Sequence, residues 1–335
     1  MAKDIGIDLG TANVLIFVKG KGVVLNEPSV VALDTATNKV LAVGEEAYQM
    51  VGRTPGSIVA IRPMKDGVIA DFDITQAMLQ YFINKLKVKS MFSRPRILIC
   101  CPTNITSVEQ KAIRQAAEST GCRNVYIEEE PKVAAVGVGM NIFEPSGNMV
   151  IDIGGGTTDV AVLSMGGIVT SESLKMAGNT LDNDILQHVK REHNLLIGER
   201  TAEAIKITIG TATPIEKESA EPGAQTMDIR GRDLLTGLPR TLTITEAEIR
   251  EAMRESVYSI VSTAKQVLEN TPPELSADII DRGIVVTGGG ALLKGLDRLL
   301  SDELKVPVAI ADSPLDAVAM GTGVLLDHLV KSKIK

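Results

Sequence analysis

The sequence predicts an α/β protein of two duplicated halves facing each other across a cleft, each half carrying a small inserted subdomain. Three observations predict it. A strand-like run ending in an acid and a glycine turn occurs twice, as IDLGTANV from Ile7 to Val14 and as IDIGGGTTDV from Ile151 to Val160. Each copy opens a meander of short strands that gives way to alternating helices and strands, the signature of an internal duplication. The interior must also be aliphatic: of 335 residues 44% are hydrophobic, only 3% are aromatic and none is Trp. Such a palette suits partly parallel sheets buried beneath helices. Two unrelated domains with similar turns would not need to share the acid, the glycines and the flanking hydrophobic alternation together.

The elements follow in order. DIGIDL, VLIFVK, GVVLN and SVVALD alternate as strands. Residues 35–63 hold turn residues and short strands with little core. DITQAMLQYFINKLKV spaces Met78, Leu79, Phe82, Ile83 and Leu86 as a helix does. RILICCP is a strand, and SVEQKAIRQAAEST a helix opened by a capping box of Ser107 with Gln110 and stopped by Gly121. NVYIEEEP ends a strand in acids, and Pro131 takes the first position of a short helix. The pattern then restarts with strands at NMVIDIGG, TTDVAVLSM and IVTSESLKMAG, and helices at LDNDILQHVKREH and GERTAEAIKITIG. Residues 212–233 read as a protruding hairpin region. Thr245 and Glu248 form a second capping box before a long helix, and GIVVTGGGALLKGLDRLLSDEL reads as strand, glycine turn and helix. A last strand and a closing helix complete the chain.

Composition excludes several classes. The net charge is −7 with both signs mixed along the chain, so no basic face for nucleic acid is expected. No apolar stretch approaches the ~18 residues of a membrane span, and the immediate strand at the N-terminus leaves no room for a signal peptide. Cys100, Cys101 and Cys122 are an odd set, two of them adjacent in an apolar strand. They read as buried thiols in a reducing cytosol, without the spacing for zinc and far in sequence from the histidines.

The turns carry the chemistry. Gly10 lets backbone N–H groups converge in a nest for an anion such as phosphate, with Thr11 and Asn13 at its rim. Asp8 would repel phosphate directly and fits a Mg²⁺ held through water; a simple tight hairpin is the other reading of this turn alone. Three consecutive glycines, Gly154, Gly155 and Gly156, cost too much conformational entropy for a mere hairpin. Two such loops facing each other would clamp a polyphosphate and its metal, with Asp8 and Asp152 toward Mg²⁺ and Thr157 toward phosphate. The pattern G-x-x-x-x-G-K-[ST] is absent from the sequence, so this is no P-loop. TGGGALLKG, residues 287–295, is a third glycine turn, for either a nucleoside or close packing. Within EEEP, Glu128 and Glu129 read as surface acids, whereas Glu130 is placed to orient a water.

IDLGTAN, IDIGGGTTD, EEEP, GERTAEAIK and TGGGALLKG together resemble the nucleotide signature of the actin-like ATPases, whose halves are RNase H-like. Within that superfamily LNEPSVVA, RPMKDGVIADF, SGNMVIDIGGGTT and LLIGERTAE are similar to the bacterial rod-shape actins of the MreB/Mbl family. The resemblance runs from Asp4 to about Leu329. It implies phosphate loops at Thr11, Ala12 and Asn13 and at Gly155, Gly156 and Thr157, and an adenosine pair in Glu203 and Lys206. From the residues alone that pair is only an i,i+3 ion pair. It implies an adenosine turn at Gly288, Gly289, Gly290 and Ala291, and a hydrolytic water ordered by Glu130 and Thr157; the role of Asp159 stays open. The implied cofactors are ATP and Mg²⁺. The implied protein is a slow, assembly-coupled ATPase, cytoplasmic and peripheral at the inner face of the cell membrane, forming filaments with itself and working with membrane proteins of cell-wall elongation. The implied division is 1–32, 65–140 and 312–335 (IA), 33–64 (IB), 141–178 and 245–311 (IIA), and 179–244 (IIB).

Met91 and Phe92 sit in a short loop flanked by Lys85, Lys87, Lys89, Arg94 and Arg96. The pair either tucks over the core or dips into the acyl boundary while the cations meet anionic lipid. A chaperone would need a substrate domain after the ATPase, and a sugar kinase an acceptor pocket; the insertions around 34–62 and 212–240 look too slight for one.

Overall fold

The computed structural model describes residues 4–86, 95–103, 105–122, 124–214 and 225–332. The first large sheet is made of β1 (Asp4–Leu9), β2 (Asn13–Val18), β3 (Gly22–Pro28), β4 (Arg96–Cys101) and β5 (Asn124–Glu129). The second is made of β6 (Asn148–Ile153), β7 (Thr158–Ser164), β8 (Gly167–Leu174), β9 (Ile284–Thr287) and β10 (Val308–Ile310). Their orders are β3-β2-β1-β4-β5 and β8-β7-β6-β9-β10. In each, the first three strands form an antiparallel meander, the fourth joins the first in parallel and the fifth joins the fourth in parallel. Strand for strand, the second sheet repeats the first. The duplication read from two short motifs is thus present in the topology of both halves.

The helices named below are α1 (Phe72–Lys85), α2 (Ser107–Ser119), α3 (Glu130–Gly137), α4 (Gly178–His193), α5 (Glu199–Ile209), α6 (Glu246–Glu269), α7 (Leu296–Leu304) and α8 (Ala317–Ser332). Each half has its own aliphatic core: β1, β2 and β4 against α1 and α2, and β6, β7 and β9 against α4 to α7. A third core joins the halves. In it Val133, Ala134 and Val136 of α3 and Val318, Leu325 and Leu326 of α8 pack among Leu98, Val150 and Ala161. α3 follows β5 and α8 follows β10, so these are equivalent helices, and they touch through glycine. A Cβ on Gly137 would collide with the Ala317 carbonyl, and one on Gly321 with the Val133 carbonyl. Close backbone approach, rather than any turn, demands both glycines.

Local expectations shift in four places. α2 is capped by Thr106, whose hydroxyl accepts from Glu109 N at 3.2 Å while Glu109 bonds back to Thr106 N at 2.7 Å. The capping box therefore lies one residue before Ser107 and Gln110. Thr245 does cap α6, accepting from Glu248 N at 3.3 Å, but the Glu248 carboxylate turns instead to His188 and His193. α3 begins at Glu130, with Pro131 one position further in. Residues 35–63 are more ordered than expected. The helix Glu45–Met50 packs on a three-stranded sheet of Val31–Asp34, Val40–Val43 and Ile58–Ile61, around Val30, Ala32, Ala42 and Ala47. The hairpin expected over 212–233 lies further along the chain, pairing Thr226–Asp233 with Pro239–Thr245; residues 215–224 of the expected span lie outside the described residues. All three cysteines are buried, and burial pushes the Cys101 thiol up to about 12. Among the described residues no helix is long and apolar enough to cross a membrane.

Candidate functional site

The ends of β1 and β6 meet at a cavity of about 390 Å³ between the halves. The β1–β2 turn enters from one side and the β6–β7 turn from the other. Asp8, Thr11, Ala12, Asn13, Glu130, Asp152, Gly155, Gly156, Thr157, Glu203, Lys206, Gly288, Gly289 and Gly290 all line it. Residues that sequence reasoning missed line it too, among them the polar Asn26, Asn179 and Asp182 and the backbone of Gly67.

The two turns are in contact, and that contact explains the glycines. A Cβ on Gly155 would stand 2.5 Å from the Ala12 Cβ, and one on Gly156 2.6 Å from the Thr11 hydroxyl. At Gly154 it would meet only the Thr157 carbonyl, at 3.3 Å. None of the three has a positive φ, so what is needed is room for the opposite loop. Each loop is also fixed from behind. Thr11 Oγ1 accepts from Gly67 N at 2.9 Å, and Ser29 Oγ donates to Gly10 O at 2.7 Å. Gly178 N and Asn179 N, at the start of α4, donate to the carbonyls of Gly154 and Gly155 at 3.1 and 2.8 Å. The N–H groups of Ala12, Gly155 and Gly156 find no acceptor among the described residues, which leaves backbone donors for an anion.

Beneath the loops lies a knot of carboxylates. Burial, with no basic partner to offset it, raises Asp8 to about 7. It raises Glu130 and Asp152 well above the ordinary carboxylate range, and neighbouring acids add to the effect. An uncompensated cluster of this kind fits a divalent cation with oxygen ligands. Asp159 pairs across β6–β7 with Asp152. It accepts from Thr103 N at 3.4 Å and from the hydroxyls of Thr103, Ser173 and Thr157. Its place is behind Thr157, orienting that side chain.

The opposite end of the cleft departs from expectation. Glu203 and Lys206 are both present but not paired. Lys206 Nζ lies 2.8 Å from Asp182 on α4 and donates to Gly178 O at 2.9 Å. Glu203 instead accepts from the hydroxyl of Tyr48, on the helix Glu45–Met50. The Arg200 guanidinium lies 5.0 Å from the Tyr48 ring. Tyr48 and Glu203 thereby link the helix Glu45–Met50 to α5 across the cleft, and burial and Glu203 hold the phenol at about 12. In the third glycine turn Gly288 has a φ of 81°, and a Cβ there or on Gly290 would collide with Ile153. Close packing therefore accounts for two of its glycines, while all three line the cavity. The turn continues as a short 3-10 stretch, Gly289–Leu292. Ala291 is fully buried in the second core and does not face the cleft; Leu292, Leu293 and Leu315 do. Met91 and Phe92 lie outside the described residues. Of their flanking cations, Lys85 is paired with Glu27 and Arg96 with Asp4, the latter at 2.8 Å.

Two halves of one topology, closed on a cleft ringed by glycine turns and buried acids, define an actin-like protein. The chain belongs to the MreB/Mbl family: the family described as MreB/Mbl protein matches residues 2–334. It is 69% identical over 330 residues to the cell shape-determining protein Mbl of Bacillus subtilis (strain 168), covering 98% of this chain and 97% of that one. It is 51% identical over 333 residues to the cell shape-determining protein MreB of Escherichia coli (strain K12), covering 98% and 94%. The crystal structure of MreB5 of Spiroplasma citri bound to ADP superposes with a TM-score of 0.93 at 41% identity, over 100% of this chain and 99% of that one.

Proposed function

We propose that this chain is a cytoskeletal ATPase that binds Mg-ATP in the cleft and polymerises into membrane-associated filaments, which organise cell-wall synthesis to maintain a rod shape. The observation that carries this reading is the meeting of the two loops above the carboxylate knot. Relatives named for cell shape and a relative bound to ADP support it.

In this reading Thr11, Ala12 and Asn13 and Gly155, Gly156 and Thr157 hold the phosphates, chiefly through backbone N–H groups. Asp8 and Asp152 hold Mg²⁺ through water. When bound, the ion neutralises phosphate charge. Glu130 and Thr157 position the attacking water, with Asp159 steadying Thr157; phosphoryl transfer asks mainly for such positioning. Glu203 and Lys206 hold the adenosine beside Gly288, Gly289 and Gly290, and Ala291 supports that turn from below. Hydrolysis is slow in the monomer and quickens on assembly.

Self-association is head-to-tail, since heterologous contacts that do not close give filaments. Leu235 and Leu238, on the turn of the 226–245 hairpin, are 80% and 64% exposed, apolar surface of the kind a neighbouring copy covers. Met91 and Phe92 touch the inner face of the cytoplasmic membrane, with Lys87, Lys89 and Arg94 toward anionic lipid. One such tip binds weakly, and many copies in a filament bind firmly. Proteins of cell-wall elongation meet the filament there.

ATP-dependent pelleting without sugar phosphorylation is the expected result for purified protein. Sugar turnover without pelleting contradicts it. Thr157→Ala is expected to keep ATP binding and lose hydrolysis. Filaments of a Met91→Ser, Phe92→Ser double variant should fail to co-sediment with anionic liposomes; unchanged co-sedimentation refutes the membrane tip.

A further inference from the structure

We propose that His188, His193 and Glu248 form a binding site for a divalent transition metal of the zinc class, remote from the nucleotide cleft. The chain has only three histidines, and the fold brings two of them onto one carboxylate. His188 Nε2 lies 3.0 Å from Glu248 Oε1, His193 Nε2 contacts the same oxygen, and the three ligand atoms lie within 4.8 Å of one another. Two imidazoles and a carboxylate are a donor set that zinc takes with a fourth, open position for water. Magnesium prefers oxygen ligands throughout. Side-chain exposures of 15%, 27% and 23% leave room for that water while keeping the ligands partly desolvated.

The scaffold is fixed on every side. His193 ends α4, followed by Asn194 at a φ of 52°. The His193 carbonyl accepts from Arg240 at 2.5 Å, and Arg240 is itself held by Asp233 at 2.8 Å. Leu234 N donates to Asn194 O at 2.8 Å. Glu248 occupies the third position of α6, where a carboxylate ordinarily turns back to the N-cap N–H. It gives up that bond to reach the histidines. Tetrahedral zinc with bonds of about 2.1 Å needs ligand atoms about 3.4 Å apart, within reach of small rotations of the two rings. α4 starts at the cleft and runs about 22 Å to His193 at 1.5 Å per residue. The metal would thus pin the far end of the helix whose first turn supports the Gly154–Gly156 loop.

The test is a zinc titration of chelator-treated full-length protein against a chromophoric competitor, with excess Mg²⁺ to fill carboxylate-only sites. One equivalent is expected, with affinity at least tenfold weaker in His188→Gln and in His193→Gln and unchanged in His328→Gln. Co²⁺ should give the visible absorption of a four- or five-coordinate ion, lost in the same two variants. Circular dichroism of each variant confirms the fold before titration. Absence of stoichiometric zinc, or zinc affinity that survives both His188→Gln and His193→Gln, overturns the site.

Discussion

The β1–β2 and β6–β7 turns are copies of one device that no longer share one solution. The β1–β2 turn contributes side chains, Thr11 and Ala12, and its Thr11 hydroxyl is spent on Gly67 N. The β6–β7 turn contributes absence, at Gly155 and Gly156, where those side chains need space. The same division recurs behind the loops. α3 opens with Glu130, whereas its equivalent α8 opens with Ala317. Duplication set the architecture, and divergence gave one half the acid and the other half the glycines.

That asymmetry can be broken experimentally, the largest effect first. Glu130→Gln should lower ATP hydrolysis by about 10²–10⁴-fold, the usual worth of a positioned acid or base, with ATP affinity within about threefold of the parent. Single-turnover assays beside nucleotide titrations separate the two. Loss of affinity in step with rate would mean that Glu130 is structural.

The carboxylate knot gives a pH signature. Asp8 is raised in the folded state from 3.8 to about 7, so the folded protein holds its proton more tightly than the unfolded chain. Its contribution is full below about pH 4 and is lost as pH rises toward 7, on the order of 2–4 kcal/mol. Melts without divalent cation should therefore fall in stability from pH 5 to pH 8. Asp8→Asn should make that slope shallower, with Glu130 and Asp152, also raised, carrying the remainder, and Mg-nucleotide should stabilise the parent more at pH 8 than at pH 5. A flat profile in the parent contradicts the cluster.

Where the halves stay symmetric, effects should match. Gly137→Ala and Gly321→Ala each drive a methyl into the partner helix's backbone, a cost of about 1–3 kcal/mol, similar for the two by urea denaturation. A large difference would show that α3 and α8 are not equivalent. The smallest effect is at the mouth of the cleft. Tyr48→Phe removes the bond to Glu203, worth about 1 kcal/mol, and should speed nucleotide release about two- to fivefold by stopped flow.

Much of the fold is legible because the strands are aliphatic runs and the turns carry their own chemistry. That both turns, Asp8, Asp152 and Glu130 share one cleft is legible from the repeated motif and not from either turn alone. What escapes is set by neighbours distant in sequence. Glu203 and Lys206 look like an i,i+3 pair until α4 supplies Asp182 and residues 45–50 supply Tyr48. Ala291 looks like part of an exposed turn until the second core closes over it. Glu248 fits a capping box by spacing, yet two histidines outbid its own backbone. The helix Glu45–Met50 is too short for periodicity to reveal. Asp159 closes the IDIGGGTTD motif, yet the motif does not tell its role; strand register and the bond from Thr157 place it behind that side chain.

The central claim is that the two loops close on one another around a nucleotide. A titration of fluorescent Mg-ATP into Gly155→Ala, Gly156→Ala and Gly154→Ala tests it most directly. The first two should lose affinity by at least about thirtyfold, since each methyl meets the opposite loop, and Gly154→Ala by less than about fivefold; the larger loss is about 2 kcal/mol. Equal losses at all three positions, or none at Gly155 and Gly156, would contradict the account.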